Sequence, residues 1–166
     1  MHYFIGVYAQ GVQEKKDLKT INSYVKKIKK QTGKLKVEVT NDEEKDASGK
    51  LTYEKKSSYY FDLNKGKKLA EVKKIVSATS YNNENKTGMK QFLYLKTGEI
   101  VYFLLYYYEN DVLITKAEVF IMLDGKKSRA YFRKDGKAFS GDDEFKEALI
   151  QLIDEEINEF NAKFVK

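Results

Sequence analysis

One histidine, His2, and no cysteine leave this chain without the side chains on which most familiar catalytic constellations depend. Ser-His-Asp and Cys-His arrangements need an imidazole, and His2 stands beside the first Met, where it reads as a terminal residue. A thiol nucleophile, a disulfide and a Cys-ligated metal are all excluded, and a multi-His zinc centre cannot be assembled. Acid–base or anion-binding chemistry would therefore fall to carboxylates, Tyr, Lys and Arg. Only two of the 31 basic residues are Arg, and they flank a Tyr in Ser128-Arg129-Ala130-Tyr131-Phe132-Arg133. With Glu118, on the preceding apolar run, Arg129, Tyr131 and Arg133 form the cluster an enzyme would use. A cross-strand ion pair between Glu118 and Arg129 explains the same residues more simply. No spacing marks a catalytic site, so the expectation is a non-enzymatic chain with no cofactor and no metal.

The richer chemical resource is tyrosine, of which there are 13. Tyr is rigid and amphipathic, suited to interfaces and pocket rims. Tyr59, Tyr60, Tyr102, Tyr106, Tyr107, Tyr108 and Tyr131 fall on strand-like segments, and the binding set expected from them is Tyr102, Tyr106, Tyr108, Arg129, Tyr131 and Arg133. The partner would be a protein, a glycan or an apolar ligand. The competing reading is that these rings complete a core. The formal charge of +6 suggests nucleic acid or an anionic membrane, but so few Arg, with Lys interleaved among acids, disfavour nucleic acid. Charge is uneven: residues 1–80 hold 18 Lys against 10 Asp and Glu, residues 142–166 hold 3 Lys against 8.

The elements that must position these side chains are legible in the periodicity. At 166 residues and 42% hydrophobic content the chain fits one domain with a sizeable core. Residues 3–11 form a short apolar run ending in small residues, read either as the tail of a signal peptide or as a first strand. No stretch reaches the length of a membrane-spanning helix. Leu18, Ile21, Val25 and Ile28 predict a basic amphipathic helix over 14–31, packed on a sheet, with Thr32-Gly33 ending it. Six Gly-Lys or Gly-Glu steps follow: Gly33-Lys34, Gly49-Lys50, Gly66-Lys67, Gly98-Glu99, Gly125-Lys126 and Gly136-Lys137. Gly66, Gly98, Gly125 and Gly136 are the hairpin candidates. Between them, alternating Leu35, Val37 and Val39 predict a half-buried strand, Asn41 to Gly49 a charged loop, and Leu51 to Leu63 a strand. Leu69 to Thr79 is taken as strand, paired through Asn64-Lys65-Gly66-Lys67, before a loop from Asn82 to Gly88. Met89–Lys96, Glu99–Tyr108, Val112–Leu123 and Ser128–Lys134 complete a meander, and the nearly continuous apolar run 100–108 marks its central strand. A closing helix over 143–164 carries Phe145, Leu149, Leu152, Ile153, Ile157, Phe160 and Phe164 on one face, capped by Ser140 or Asp142.

The predicted class is thus α+β: an N-terminal helix, an antiparallel meander of six to seven strands in a curved sheet, and a long amphipathic C-terminal helix packed on it, with its acidic outer face near the basic first helix. The stretch Tyr94 to Gly141, with Thr97-Gly98-Glu99-Ile100-Val101-Tyr102-Phe103 and the Arg129-to-Lys137 hairpin, resembles small uncharacterised secreted or lipoprotein-like proteins of Bacteroidetes-type Gram-negative bacteria, though it has no lipobox Cys. That resemblance implies export, to the periplasm or beyond, and implies no activity; without export the chain is cytoplasmic. The order of elements is also similar to the helix-grip fold, which implies a small apolar ligand between sheet and last helix. The functional expectation is a secreted or periplasmic binding module.

Overall fold

The computed structural model describes residues 2–62, 67–82, 86–125, 127–139 and 141–165, with side chains described from Gly11 onward. It begins with α1 (His2–Gln31) and ends with α2 (Asp143–Phe164). Between them run β1 (Lys36–Lys45), β2 (Leu51–Phe61), β3 (Val72–Tyr81), β4 (Thr87–Lys96), β5 (Glu99–Glu109), β6 (Val112–Asp124), β7 (Lys127–Lys134) and the short β8 (Lys137–Ala138). The strands form one antiparallel sheet in sequence order, so every neighbour in the sheet is a neighbour in the chain. The α+β class holds, with eight strands where six or seven were expected.

The turn chemistry explains the meander. Thr97-Gly98, Asn110-Asp111 and Asp135-Gly136 each hold two successive residues at positive φ, the geometry of the tight hairpin whose twist matches its strands. Gly33 behaves differently. It lies in a 3-10 turn, Thr32–Lys34, that carries α1 into β1. The charged segment read as a loop from Asn41 is strand as far as Lys45, because its backbone pairs with β2 despite a polar sequence. Only Asp46 to Lys50 turns, with the Asp46 carboxylate accepting from the backbone of Ser48 and Lys50. Likewise Leu69–Glu71 is a 3-10 turn rather than the start of β3, and β4 begins at Thr87. The expected turn at 64–67 falls largely outside the described residues.

Two further expectations are corrected. Of the two readings of residues 3–11, the first strand is overturned: the backbone there is helical and continuous with α1. The helices are not neighbours: they lie on opposite faces of the sheet. Odd positions of β4 to β6, including Leu93, Phe103, Leu105, Ala117 and Val119, pack with Leu149, Ile153 and Phe160 of α2. Even positions, Tyr94, Tyr102 and Phe120, pack with Ile21, Val25 and Ile28 of α1. A sheet that is apolar on both faces needs a cover on each. That is why β5, fifth of eight, reads as an unbroken apolar run, and why Val101, Tyr102, Phe103 and Leu105 are all buried. α2 starts on Asp142, whose side chain accepts from the Phe145 amide, with Asp143 and Glu144 in its first turn. The described helices include none long and apolar enough to cross a membrane.

Candidate functional site

Side chains alternate across the sheet, so register decides which chemistry meets. On the α1 face one row crosses six strands: Tyr60, Lys74, Tyr94, Tyr102, Phe120 and Tyr131. Its centre is buried beneath α1. Tyr102 is 7% exposed and its hydroxyl donates to Glu118 at 2.5 Å; burial, then that hydrogen bond, pushes its phenol far above the usual value. Arg129 and Tyr131 are also engaged within the fold. The Arg129 Nε donates to Asp17 at 2.7 Å and the Tyr131 hydroxyl at 2.6 Å, which fastens α1 to β7. Asp17 is 1% exposed, and the Arg129 hydrogen bond, opposed by burial and helped by Tyr131 and Gln13, lowers its carboxyl to about 2. Arg133 reaches Glu14 of α1 at 3.7 Å and lies opposite Glu118 in register. The Glu118–Arg129 pair does not form: Arg129 sits opposite Met122, four residues from the row of Glu118, and within reach of α1. Arg129, Tyr131 and Arg133 therefore act as a clasp for the first helix, whereas Glu118 is held by Tyr102 and Lys116 within the sheet, and none of the four lines a cavity described below.

Tyr106 and Tyr108 have a different setting. They stand on the half of the same face beyond α1, in rows reading Lys56, Ala78, Lys90, Tyr106, Lys116 and Ser80, Gly88, Tyr108, Leu113. Phe92 meets Tyr106 edge-on at 6.2 Å. Lys74 lies over the rings of Tyr60, Phe92 and Tyr94, and Lys90 over Phe92. Burial first, then repulsion from Lys29 and Lys90, lowers the Lys74 pKa. Leu113 nearby is 48% exposed. The result is an open aromatic shelf crowded with ammonium groups.

Two of the cavities among the described residues lie between a helix and the sheet. About 270 Å³ lies between α1 and the ends of β4 to β6, lined by Ile21, Tyr24, Val101 and Met122 among others. A smaller one, about 80 Å³, lies beneath α2 over β2, β3 and β4. Sequence reasoning missed its contents. Lys55 and Glu156, 6% and 1% exposed, pair at 2.5 Å inside the apolar layer. Lys55 also donates to Glu159 at 2.8 Å, and Ser77 to Glu156 at 3.0 Å. Burial alone would lower Lys55, but the charge of Glu156 and the two carboxylate hydrogen bonds reverse it and hold the ammonium; burial outweighs Lys55 at Glu156, which titrates above a free Glu. The signal was available. Glu156 sits three residues after Ile153 and four before Phe160, on the buried stripe of α2, and Lys55, Ser57, Ser77, Thr79 and Gln91 occupy inward positions of their strands.

No family model matches the chain, and neither the curated proteins nor the solved structures yield a match.

Proposed function

We propose that this chain is a binding module, without catalysis of its own, that takes an acidic and aromatic or aliphatic segment of a partner protein on the open shelf beside α1. The observation that supports the reading is the position of the half-buried Tyr106 and Tyr108, outside the α1 cluster and next to Phe92 at its border, among Lys56, Lys74, Lys90 and Lys116. Rings supply contact area with little rotamer entropy to lose, and a Lys74 already repelled by Lys29 and Lys90 gains most from an incoming carboxylate. The expected set narrows accordingly: Tyr106 and Tyr108 face the partner, whereas Tyr102, Arg129, Tyr131 and Arg133 hold the shelf and helix in place. Export belongs to the proposal on the strength of the resemblance and the apolar run at 3–11, and fractionation that finds the chain in the cytosol alone removes that part.

Fluorescence anisotropy tests it with three labelled probes: a peptide alternating Glu and Phe, one alternating Glu and Ser, and an oligothymidine. Salt-sensitive binding of the Glu/Phe peptide, abolished by Tyr106→Ala with Lys74→Gln, is expected. Equal binding of both peptides, or tighter binding of the oligonucleotide, overturns it. The cavity under α1 favours a second reading, a small apolar ligand. Its volume lies just below the ~300 Å³ at which ligand pockets begin, and α1 rather than α2 would do the gripping.

A further inference from the structure

The chamber beneath α2 has a composition that folding alone does not require, and it is independent of the aromatic shelf on the opposite face. Its inner wall carries two acceptors, Glu156 Oε2 and Gln91 Oε1, each buried and without a hydrogen-bond partner among the described residues. Glu156 is 1% and Gln91 3% exposed, so solvent reaches neither residue directly, and a buried acceptor left unpaired costs about 1–3 kcal/mol. Lys55 is already committed to Glu156 Oε1 and Glu159. Two carboxylates, Glu156 and Glu159, therefore face one ammonium, with Glu155 at the rim accepting from Gln151, and the remaining demand is for donors and positive charge. Tyr53 and Tyr81, whose ring centroids are 5.7 Å apart, form the wall toward solvent, where Tyr81 is 39% exposed.

We propose that this chamber binds a primary ammonium group, the head of a small amine or diamine whose chain leaves past the paired rings of Tyr53 and Tyr81. A neutral donor would satisfy the two acceptors without answering the excess of carboxylate, and an anion would meet acceptors only. A metal ion fits poorly: among the described residues no group of three or more His, Asp or Glu is placed to hold one. The 80 Å³ available takes an ammonium with one or two methylenes, or a few waters, and no more. An ammonium donates three hydrogen bonds, enough for Glu156 Oε2, Gln91 Oε1 and one further carboxylate oxygen. Its alkyl stem then runs past tyrosine rings, which favour a cation nearby.

Titration of the full chain with butylammonium and, separately, with butanol, followed by backbone and side-chain amide NMR, decides the matter. Saturable shifts at Gln91, Thr79 to Tyr81 and Leu152 to Glu159, with a dissociation constant near or below ~1 mM and no response to butanol, are expected. Gln91→Leu, which keeps the Lys55–Glu156 pair intact, weakens binding about tenfold or more, a loss of about 1.4 kcal/mol, while Lys27→Ala on the exposed side of α1 leaves it unchanged. Absence of saturable shifts, equal response to butanol, or undiminished binding by Gln91→Leu overturns the proposal and leaves the chamber to ordered water.

Discussion

The clasp between α1 and β7 makes the stability of this protein depend on acid in a calculable way. Asp17 is buried, bonded at once to Arg129, Tyr131 and Gln13, and its carboxyl falls from the ordinary 3.8 to about 2. At about 1.4 kcal/mol per pKa unit, that drop corresponds to roughly 2 kcal/mol of folding stability. The sign follows from the direction of the shift. A carboxylate whose pKa is depressed by folding stabilises fully above its unfolded value, and the contribution drains away as pH falls through the folded one. The window is therefore about pH 5 down to pH 2. Asp17→Asn removes the titration while keeping side-chain size. Urea unfolding of wild type and variant should differ by about 2 kcal/mol at pH 7 and converge toward pH 2. Taking the difference between the two proteins matters, because Glu38 and Asp46 shift in the same direction and Glu156 in the opposite one. Parallel pH curves with a constant gap, or superimposed ones, refute the assignment of the clasp to an ionised Asp17.

Glu156→Leu alone should cost about 3 kcal/mol by leaving the buried Lys55 with only the part-exposed Glu159, whereas the double change with Lys55→Met recovers most of it, which a thermodynamic cycle of denaturation free energies reads directly. Gly88→Ala should destabilise by about 1–3 kcal/mol in thermal melts, since a Cβ there would clash with the Thr79 carbonyl across the β3–β4 ladder. Phe160→Ala should cost about 3–5 kcal/mol, because the ring is wholly buried against Tyr59, Phe61 and Phe164; a loss under 1 kcal/mol would mean that α2 packs elsewhere.

Local patterns were legible where one periodicity dominated. The closing helix was read with the boundaries it has, because seven apolar residues at helical spacing start just after an Asp cap. The strands of the meander emerged because paired turn residues separate long apolar runs, each tall enough to register whichever face it buries. Misreadings occurred where a residue's partner lies far along the chain. The segment 41–45 is polar throughout and becomes strand only because β2 offers a backbone ladder. Arg129 and Tyr131 are 112 and 114 residues from Asp17, so their task as a clasp was invisible to spacing.

The two helices show why the same sequence yields both a scaffold and two unequal surfaces. α2 crosses its face with aromatic and aliphatic side chains, yet places one Glu on the stripe that meets Lys55, Ser77 and Gln91; a wholly apolar stripe above apolar strands would be at least as stable. α1 is fastened at β7 by ion pairs and at β4 by the Tyr24 hydroxyl on the Leu95 carbonyl, 2.5 Å away, and its buried residues stop at Ile28. Outside the cluster beneath α1 the sheet still presents Tyr106 and Tyr108, with lysines where a folding-only surface would alternate its charges more evenly. Each departure from the pattern that best stabilises a two-faced sheet therefore coincides with one of the two places proposed above to hold something outside the chain.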